Sequence, residues 1–354
     1  MLKNIFILIL LINFGLSVLG DNMKLLSFYT VNYSDKLPLI NGKIDDLCWE
    51  KAQEYNTYYV YFKTNPEPGK LKTSLRMLWN EKGIFIGIIN YDKNIDKIRA
   101  KYTTRDSAAM WNDDCAELYF DPYADSVGFT KFTVNALATV ADIRQIDAAV
   151  KLSNWSASGL EVKTSKNKDS WIIEMFVPWS DLSKVPHAGS VWKFCHVRYA
   201  WGTGKFVGVT SSPGGNYNNI GDFGFLYFAG NKQPDMKAIG TILEVRATPP
   251  WCLLLGDDLL IYDNNKLVCE KKQQVFETKR QVAANRISQI KELLKNSSDS
   301  TVKEEFNEAL ILFNKYATVQ SLTFSDIRKQ NDLNSKLNNI CWKLKLADMI
   351  NKIK

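Results

Sequence analysis

The chain has 354 residues, 45% hydrophobic and 23% charged, a globular composition at a length that suggests about two domains. Its net charge of +7 is dispersed, with no basic tract, which sets nucleic acid aside as a partner. Two His, six Cys without a C-x-x-C, and no G-x-S-x-G also set aside a structural zinc site, a disulfide-built scaffold and a serine hydrolase.

Met1 to Gly20 reads as a signal peptide. Lys3 is its positive end, Ile5 to Ile12 its apolar run, and Val18-Leu19-Gly20 its small-residue exit. The run is short for a membrane span and no second one follows, so a secreted or periplasmic soluble protein is expected. Residues 21–230 then read as a series of short strands. Leu37 to Ala52 carries an Asn41-Gly42 turn, then Asp45 or Asp46 as cap of a short helix that buries Trp49 and Ala52. Thr57 to Phe62 alternates like a strand. Thr73 to Asn80 and Ile84 to Asn90, joined by Glu81-Lys82-Gly83, predict a β-hairpin. Arg105 to Pro122 begins as a polar loop and ends as a strand: Cys115, Glu117, Tyr119 and Asp121 share one face, Ala116, Leu118 and Phe120 the other. Phe129 to Val140, Trp171 to Leu182, Gly189 to Trp201 and Asp222 to Phe228 supply more strands, with Pro178 opening a short helix. A loop rich in Gly, Ser and Asn runs from Gly202 to Asn219. Many short strands at this spacing predict an antiparallel β-sandwich, jelly-roll or immunoglobulin-like.

Near Gly230 the pattern changes. Residues 231–270 read as a β-hairpin linker: Ile239 to Arg246 as one more strand, and Trp251 to Val268 as a hairpin turning at Asp263-Asn264-Asn265. Cys252 and Cys269 flank it and are the best disulfide pair; Cys115 and Cys195 read as free core thiols. Residues 271–354 read as an α-helical tail. Phe276, Ala283, Ile287, Ile290 and Leu294 recur at helical spacing. Val302, Phe306, Ala309, Phe313 and Tyr316 follow a Thr301…Glu304 capping box. Leu337, Ile340, Leu344 and Ile353 follow Ser325 as cap. The fold class expected is mainly β, a sandwich followed by a helical hairpin or three-helix bundle. The stripes read as ordinary core, or in the other reading as a face for a partner or for self-association.

Arg105 to Pro122 also carries chemistry. Trp111 precedes two acids, Asp113 and Asp114, and then Glu117. An aromatic ring covers the C–H face of a pyranose and a carboxylate accepts its hydroxyls. In the plainer reading Trp111 packs on a loop and Glu117 is a solvated strand residue. Glu117 with Asp114 or Asp121 also has the form of a glycosidase pair, but acidic residues are too common for that pairing to be specific. His196 reads as a hydrogen-bonded structural residue. As a haem ligand, alone or with Met175 or Met110, it lacks any C-x-x-C-H or paired His around it.

The order of these stretches resembles the family 9 carbohydrate-binding modules. The matching segments are INGKIDDLCWEKA (Ile40 to Ala52), LRMLWNEKGIFIGI (Leu75 to Ile88), WNDDCAELYFDP (Trp111 to Pro122), FTVNA (Phe132 to Ala136), WIIEMFVPWSDL (Trp171 to Leu182), VWKFCHVR (Val191 to Arg198) and DFGFLYF (Asp222 to Phe228). They cover residues 35–230 and leave the tail outside. The resemblance implies a sandwich with a sugar site, where two aromatics stack on a terminal sugar and a Glu, an Asn and an Arg bind its hydroxyls. Trp111 falls on the first aromatic, Glu117 on the carboxylate and Asn135 on the amide. Tyr217 falls near the second aromatic, where the family's sugar binders carry Trp, and Thr133 stands where they place the Arg; Arg198 is a substitute donor. No cofactor is required. The structural calcium of some members would take oxygens from Asp113, Asp114 and Asp121, against a reading of them as a solvated acidic turn. The expected function is non-catalytic carbohydrate binding by an exported protein, in support of polysaccharide degradation by partner glycoside hydrolases. The alternatives are a scaffold whose helical tail docks a partner, and a haem-binding sandwich.

Overall fold

Side chains that alternate between two faces build the first of two compact units, residues 25–242. The computed structural model describes residues 23–353 except 62–65, 153, 203, 215–218, 231, 233, 298 and 317–321. The signal peptide expected at 1–20 and Tyr217 therefore lie outside the described residues. The main strands are β1 (Phe28–Tyr33), β2 (Thr73–Trp79), β3 (Gly83–Tyr91), β4 (Cys115–Asp121), β5 (Phe129–Asn135), β6 (Val140–Gln145), β7 (Glu161–Lys166), β8 (Ser170–Pro178), β9 (Val191–Ala200), β10 (Val207–Thr210) and β11 (Gly224–Ala229). Pairing runs β6-β5-β4-β9-β11-β1-β2-β3-β8-β7, with β10 beside the second half of β9. Two contacts are parallel, β11 with β1 and β1 with β2. They join two antiparallel halves that fold onto each other as a sandwich.

The register explains the core. Leu75, Met77 and Trp79 lie opposite Ile88, Ile86 and Ile84, so both strands of the hairpin send one row inward. That row meets Leu118, Phe120, Phe132, Trp192 and Phe194 from the other half in one buried cluster. A slip of one residue would turn each row to the wrong face. At one flank the Leu47–Lys51 turn of helix buries Trp49, whose Nε1 donates to Glu174 Oε1 at 3.1 Å. Glu174 Oε2 accepts the N–H groups of Asn41 and Gly42 at 2.8 and 2.9 Å. Gly42 has φ +87°, and a Cβ there would meet the backbone of Thr164 at 3.0 Å. The Asn-Gly turn legible in the sequence is thus bound to glycine twice over.

His196 is fully buried, its Nδ1 2.7 Å from Tyr58 Oη, and Met175 and Met110 are enclosed by protein as well. A haem ligand among them has no open face, which corrects that alternative and leaves the structural histidine. Arg198, weighed as a ligand donor, is buried too. Its guanidinium donates to Lys72 O at 2.8 Å, Tyr91 O at 2.9 Å and Thr73 Oγ1 at 3.2 Å.

The second unit comprises residues 243–353 together with Met23 and Lys24 among the described residues. The stretch Ile239 to Arg246 is not a strand. Helix α1 (Met236–Glu244) takes its place, with Ile239 and Leu243 buried at helical spacing. The expected hairpin is a three-stranded meander, β12 (Trp251–Leu255), β13 (Asp258–Asp263) and β14 (Lys266–Lys271). Its first turn uses Gly256 at φ +59° and its second Asn264 and Asn265 at φ 48° and 58°, as tight two-residue loops require. Cys252 lies opposite Ile261, and Leu260 opposite Cys269. The two thiols are two strands and about 10 Å apart, on opposite faces, beyond the reach of about 7 Å that a disulfide allows. The expected pairing is therefore corrected: Cys252 is buried and Cys269 exposed, both as free thiols.

Helices α2 (Lys272–Leu294), α3 (Ser300–Lys315) and α4 (Phe324–Ile353) bury Ala283, Ile287, Ile290, Val302, Phe306, Ala309, Leu337, Ile340 and Leu344 in one cluster, so the tail is a three-helix bundle. Its caps differ from those expected. Asp299, not Thr301, accepts from the N–H groups of Thr301 and Val302. Thr323 and Asp326 bond reciprocally at the start of α4, ahead of Ser325. Among the described residues no helix is long and apolar enough to cross a membrane.

Burial and the nearby Arg198 guanidinium push the pKa of His196 down to about 3. An unfolded chain takes up a proton near pH 6.5 that the folded chain refuses, so stability is full above pH 6.5 and falls as the pH drops toward 3, by up to about 1.4 kcal/mol per unit. Urea unfolding across pH 3 to 7 checks this against His196→Gln, in which the corresponding slope should be absent.

Candidate functional site

The outward row of β4 is Cys115, Glu117 and Tyr119, and it faces a second aromatic cluster instead of open solvent. Glu117 is only 3% exposed. Its Oε2 accepts from Tyr119 Oη at 2.7 Å and Tyr199 Oη at 3.2 Å. Its Oε1 accepts from Lys131 Nζ at 3.0 Å and Thr133 Oγ1 at 3.1 Å. Thr133 stands directly opposite Glu117 in the ladder. Burial and the Glu117 charge raise the pKa of both phenols, so they remain protonated donors. Neither reading of Glu117 survives unchanged. It is not solvated, and its lone pairs are filled from within, so it acts as the anchor of a polar floor and not as a hydroxyl acceptor.

A chain of rings rises from that floor. Tyr199 and Tyr61 share a contact of 3.2 Å between their hydroxyls. Phe206 lies 5.5 Å from the Tyr199 ring and 5.1 Å from Trp201. Trp201 lies 6.4 Å from Trp111 at an interplanar angle of 46°. Trp111 is 49% exposed and Phe206 39% exposed. Trp111, Trp201 and Phe206 make an open aromatic ledge.

The ledge is held by groups that looked polar and exposed in the sequence. Trp111 sits on a turn of helix, Met110–Asn112, pinned by buried Met110. Asp113 and Asp114 follow, and both are fully buried. Asp113 accepts from the N–H groups of Lys101 and Tyr102 at 2.9 and 3.0 Å. Asp114 accepts from those of Arg99 at 2.8 Å and Trp201 at 3.2 Å. Trp201 Nε1 donates to Trp111 O at 3.0 Å. The two acids are therefore not a solvated turn. Asp121, about 23 Å along the strand, accepts from the N–H groups of Tyr123, Ala124 and Ser126. The three carboxylates do not converge and their oxygens are engaged, so they do not fit a shared calcium. Nor does Asp114 or Asp121 give Glu117 a free glycosidase partner.

Asn135 is also corrected. It is fully buried, with Nδ2 donating to Tyr102 O and Asp113 Oδ2, and Oδ1 accepting from the N–H groups of Leu137 and Thr139. It braces a turn and offers a ligand nothing. Trp111 alone among the four site residues expected is both described and open to a ligand. Trp201 and Phe206 were missed. The sequence shows that Val197, Tyr199 and Trp201 alternate onto one face; that this face is the Glu117 side follows from the pairing of Val197 with Glu117, which only the structure supplies.

A family model for carbohydrate family 9 binding domain-like sequences matches residues 40–230. The chain belongs to that family. Its family 9 domain is similar to a family 9 carbohydrate-binding module of Caldicellulosiruptor kristjanssonii solved with cellotriose, at 17% identity and TM-score 0.45, over 58% of this chain and 96% of that one. The module solved with glucose gives 17% identity and TM-score 0.44, over 59% and 100%. No curated protein matches the chain.

Replacing Glu117 by Ala in the family 9 domain removes the acceptor of four hydrogen bonds and the partner of the Lys131 charge. The expected loss is about 3–5 kcal/mol, as for a broken buried ion pair. Trp111→Ala, at an open position, should cost under about 1 kcal/mol. Chemical unfolding of the two variants side by side measures the contrast.

Proposed function

We propose that the family 9 domain binds carbohydrate on the ledge of Trp111, Trp201 and Phe206, without catalysis. The observation that carries the reading is Trp111: half exposed, yet fixed through its carbonyl and ring to Trp201. A rigid open ring loses little entropy when it covers the C–H face of a pyranose. The floor beneath is closed to the ligand, its tyrosines buried and Lys131 bonded to Glu117, so the ledge offers its ring faces. Neighbouring carboxylates are engaged internally, which supports binding over acid–base chemistry. A shallow site of this kind binds at roughly 10–1,000 µM, about 4–7 kcal/mol. On this reading residues 1–20 direct export, and the domain holds polysaccharide where partner glycoside hydrolases act.

A second reading concerns the tail. Trp342, Leu346, Met349 and Ile350 are exposed on α4 at spacings that form one stripe. Such a stripe suits pairing with a second copy. Light scattering should then show a dimer that Trp342→Glu returns to monomer.

The ledge is tested by a glycan screen with the full chain, followed by calorimetry. Trp111→Ala and Trp201→Ala should each weaken binding at least about tenfold while melting as folded protein. Unchanged affinity in both folded variants overturns the site, and absence of any glycan ligand overturns the reading.

A further inference from the structure

Beside the ledge runs Lys97-Ile98-Arg99-Ala100-Lys101. Ile98 and Ala100 pack against the sandwich core. The extended chain therefore turns Arg99 and Lys101 to the other side. Arg99 lies with Cζ 5.2 Å from the centroid of Trp201, the ring that also neighbours Trp111 and Phe206. The Arg99 side chain makes no ion pair or hydrogen bond among the described residues, and its Nε is buried without a partner. Arg76, Arg105 and Arg198 each have a carboxylate within salt-bridge distance. Lys97 and Lys101 are exposed and form no ion pair among the described residues.

We propose that the ledge selects carbohydrates carrying an anionic group, a uronate carboxylate or a sulfate ester, which seats on the Arg99 fork while the pyranose lies on Trp111 and Trp201. This inference rests on the carbohydrate reading above and names its ligand class. A guanidinium stacked on indole is pre-oriented, and its planar fork matches two oxygens of a carboxylate or sulfate. The acids nearby do not serve instead. Asp113 and Asp114 lie beneath the segment with their oxygens on backbone N–H groups, where they lower the positive field. Asp96 is exposed beside Lys97 and forms no ion pair with Arg99 among the described residues. Lys101 adds an exposed charge that is felt at low salt.

The test is calorimetry of the full chain against three matched oligosaccharides, ending in glucose, glucuronate or glucose 6-sulfate. The expected result is an anionic ligand bound at least about tenfold more tightly than the neutral one, the range of a charge-assisted hydrogen bond. The ratio should fall to within about threefold in Arg99→Gln and shrink in 0.5 M salt. A preference shared by both anions supports recognition of charge, and one confined to glucuronate supports the fork geometry. Arg99→Lys, which keeps the charge and loses the fork, separates these two supporting cases. If Arg99→Gln fails to fold, Lys101→Gln and the salt series carry the test. Equal affinity for neutral and anionic ligands, or a preference that survives Arg99→Gln, overturns the proposal while leaving carbohydrate binding standing. Binding of none of the three overturns the anionic proposal, and overturns carbohydrate binding as well when the glycan screen also finds no ligand.

Discussion

Asp113 and Asp114 are two adjacent carboxylates with no exposure to water, and the whole ledge hangs from them. Two such charges are tolerated in a protein interior only when their oxygens are filled. Here the donors come from three separate places: the segment at 99–102, the Asn135 side chain and the backbone of Trp201. The requirement to satisfy the acids thus fixes where those pieces lie. Trp111 precedes the acids directly, and Trp201 is bonded to one of them. The ring geometry of the ledge follows from an electrostatic need one layer below it.

Glu117 repeats the arrangement at the next level of the strand. Its four donors come from β4, β5 and β9, so the floor is cross-linked across three strands. A polar network this complete is rigid, because moving any member leaves a buried group unpaired. The surface above inherits that rigidity, which suits a site whose contacts are shallow and whose affinity depends on little being lost on binding.

Much of the architecture was legible in the sequence because it rests on periodicity. The alternation of Leu118 and Phe120 against Glu117 and Tyr119, the Leu75 to Ile88 hairpin and the helical stripes all report which face is apolar, and the structure uses those faces. What the pattern could not carry was the identity of partners. Glu117, Asn135, Asp113 and Asp114 have the side chains of solvent-facing or ligand-binding residues. Their donors come from segments up to about eighty residues away or from backbone groups that leave no trace in composition. The outward face of β4 looked open because its covers, Tyr61, Ile220 and Phe223, belong to connecting segments. Cap positions moved by a residue or two because Ser, Thr and Asp cluster at both helix starts and any of them is chemically able to cap. The meander reads as one hairpin in the sequence because its first turn, Gly256-Asp257, is only two residues long and carries one glycine.

The placement of β1 has a consequence for how the molecule is made. Phe28 pairs with Phe225 and Val31 with Phe228, so the first long strand of the unit finds its β11 edge almost two hundred residues later. As the chain leaves the ribosome, that edge of β1 stays bare until β11 has emerged. Closure is thus a late, long-range event, slow by the entropy of so large a loop. Until then the apolar rows of both halves are exposed to anything nearby. The nascent chain has a long interval in which a chaperone would be useful.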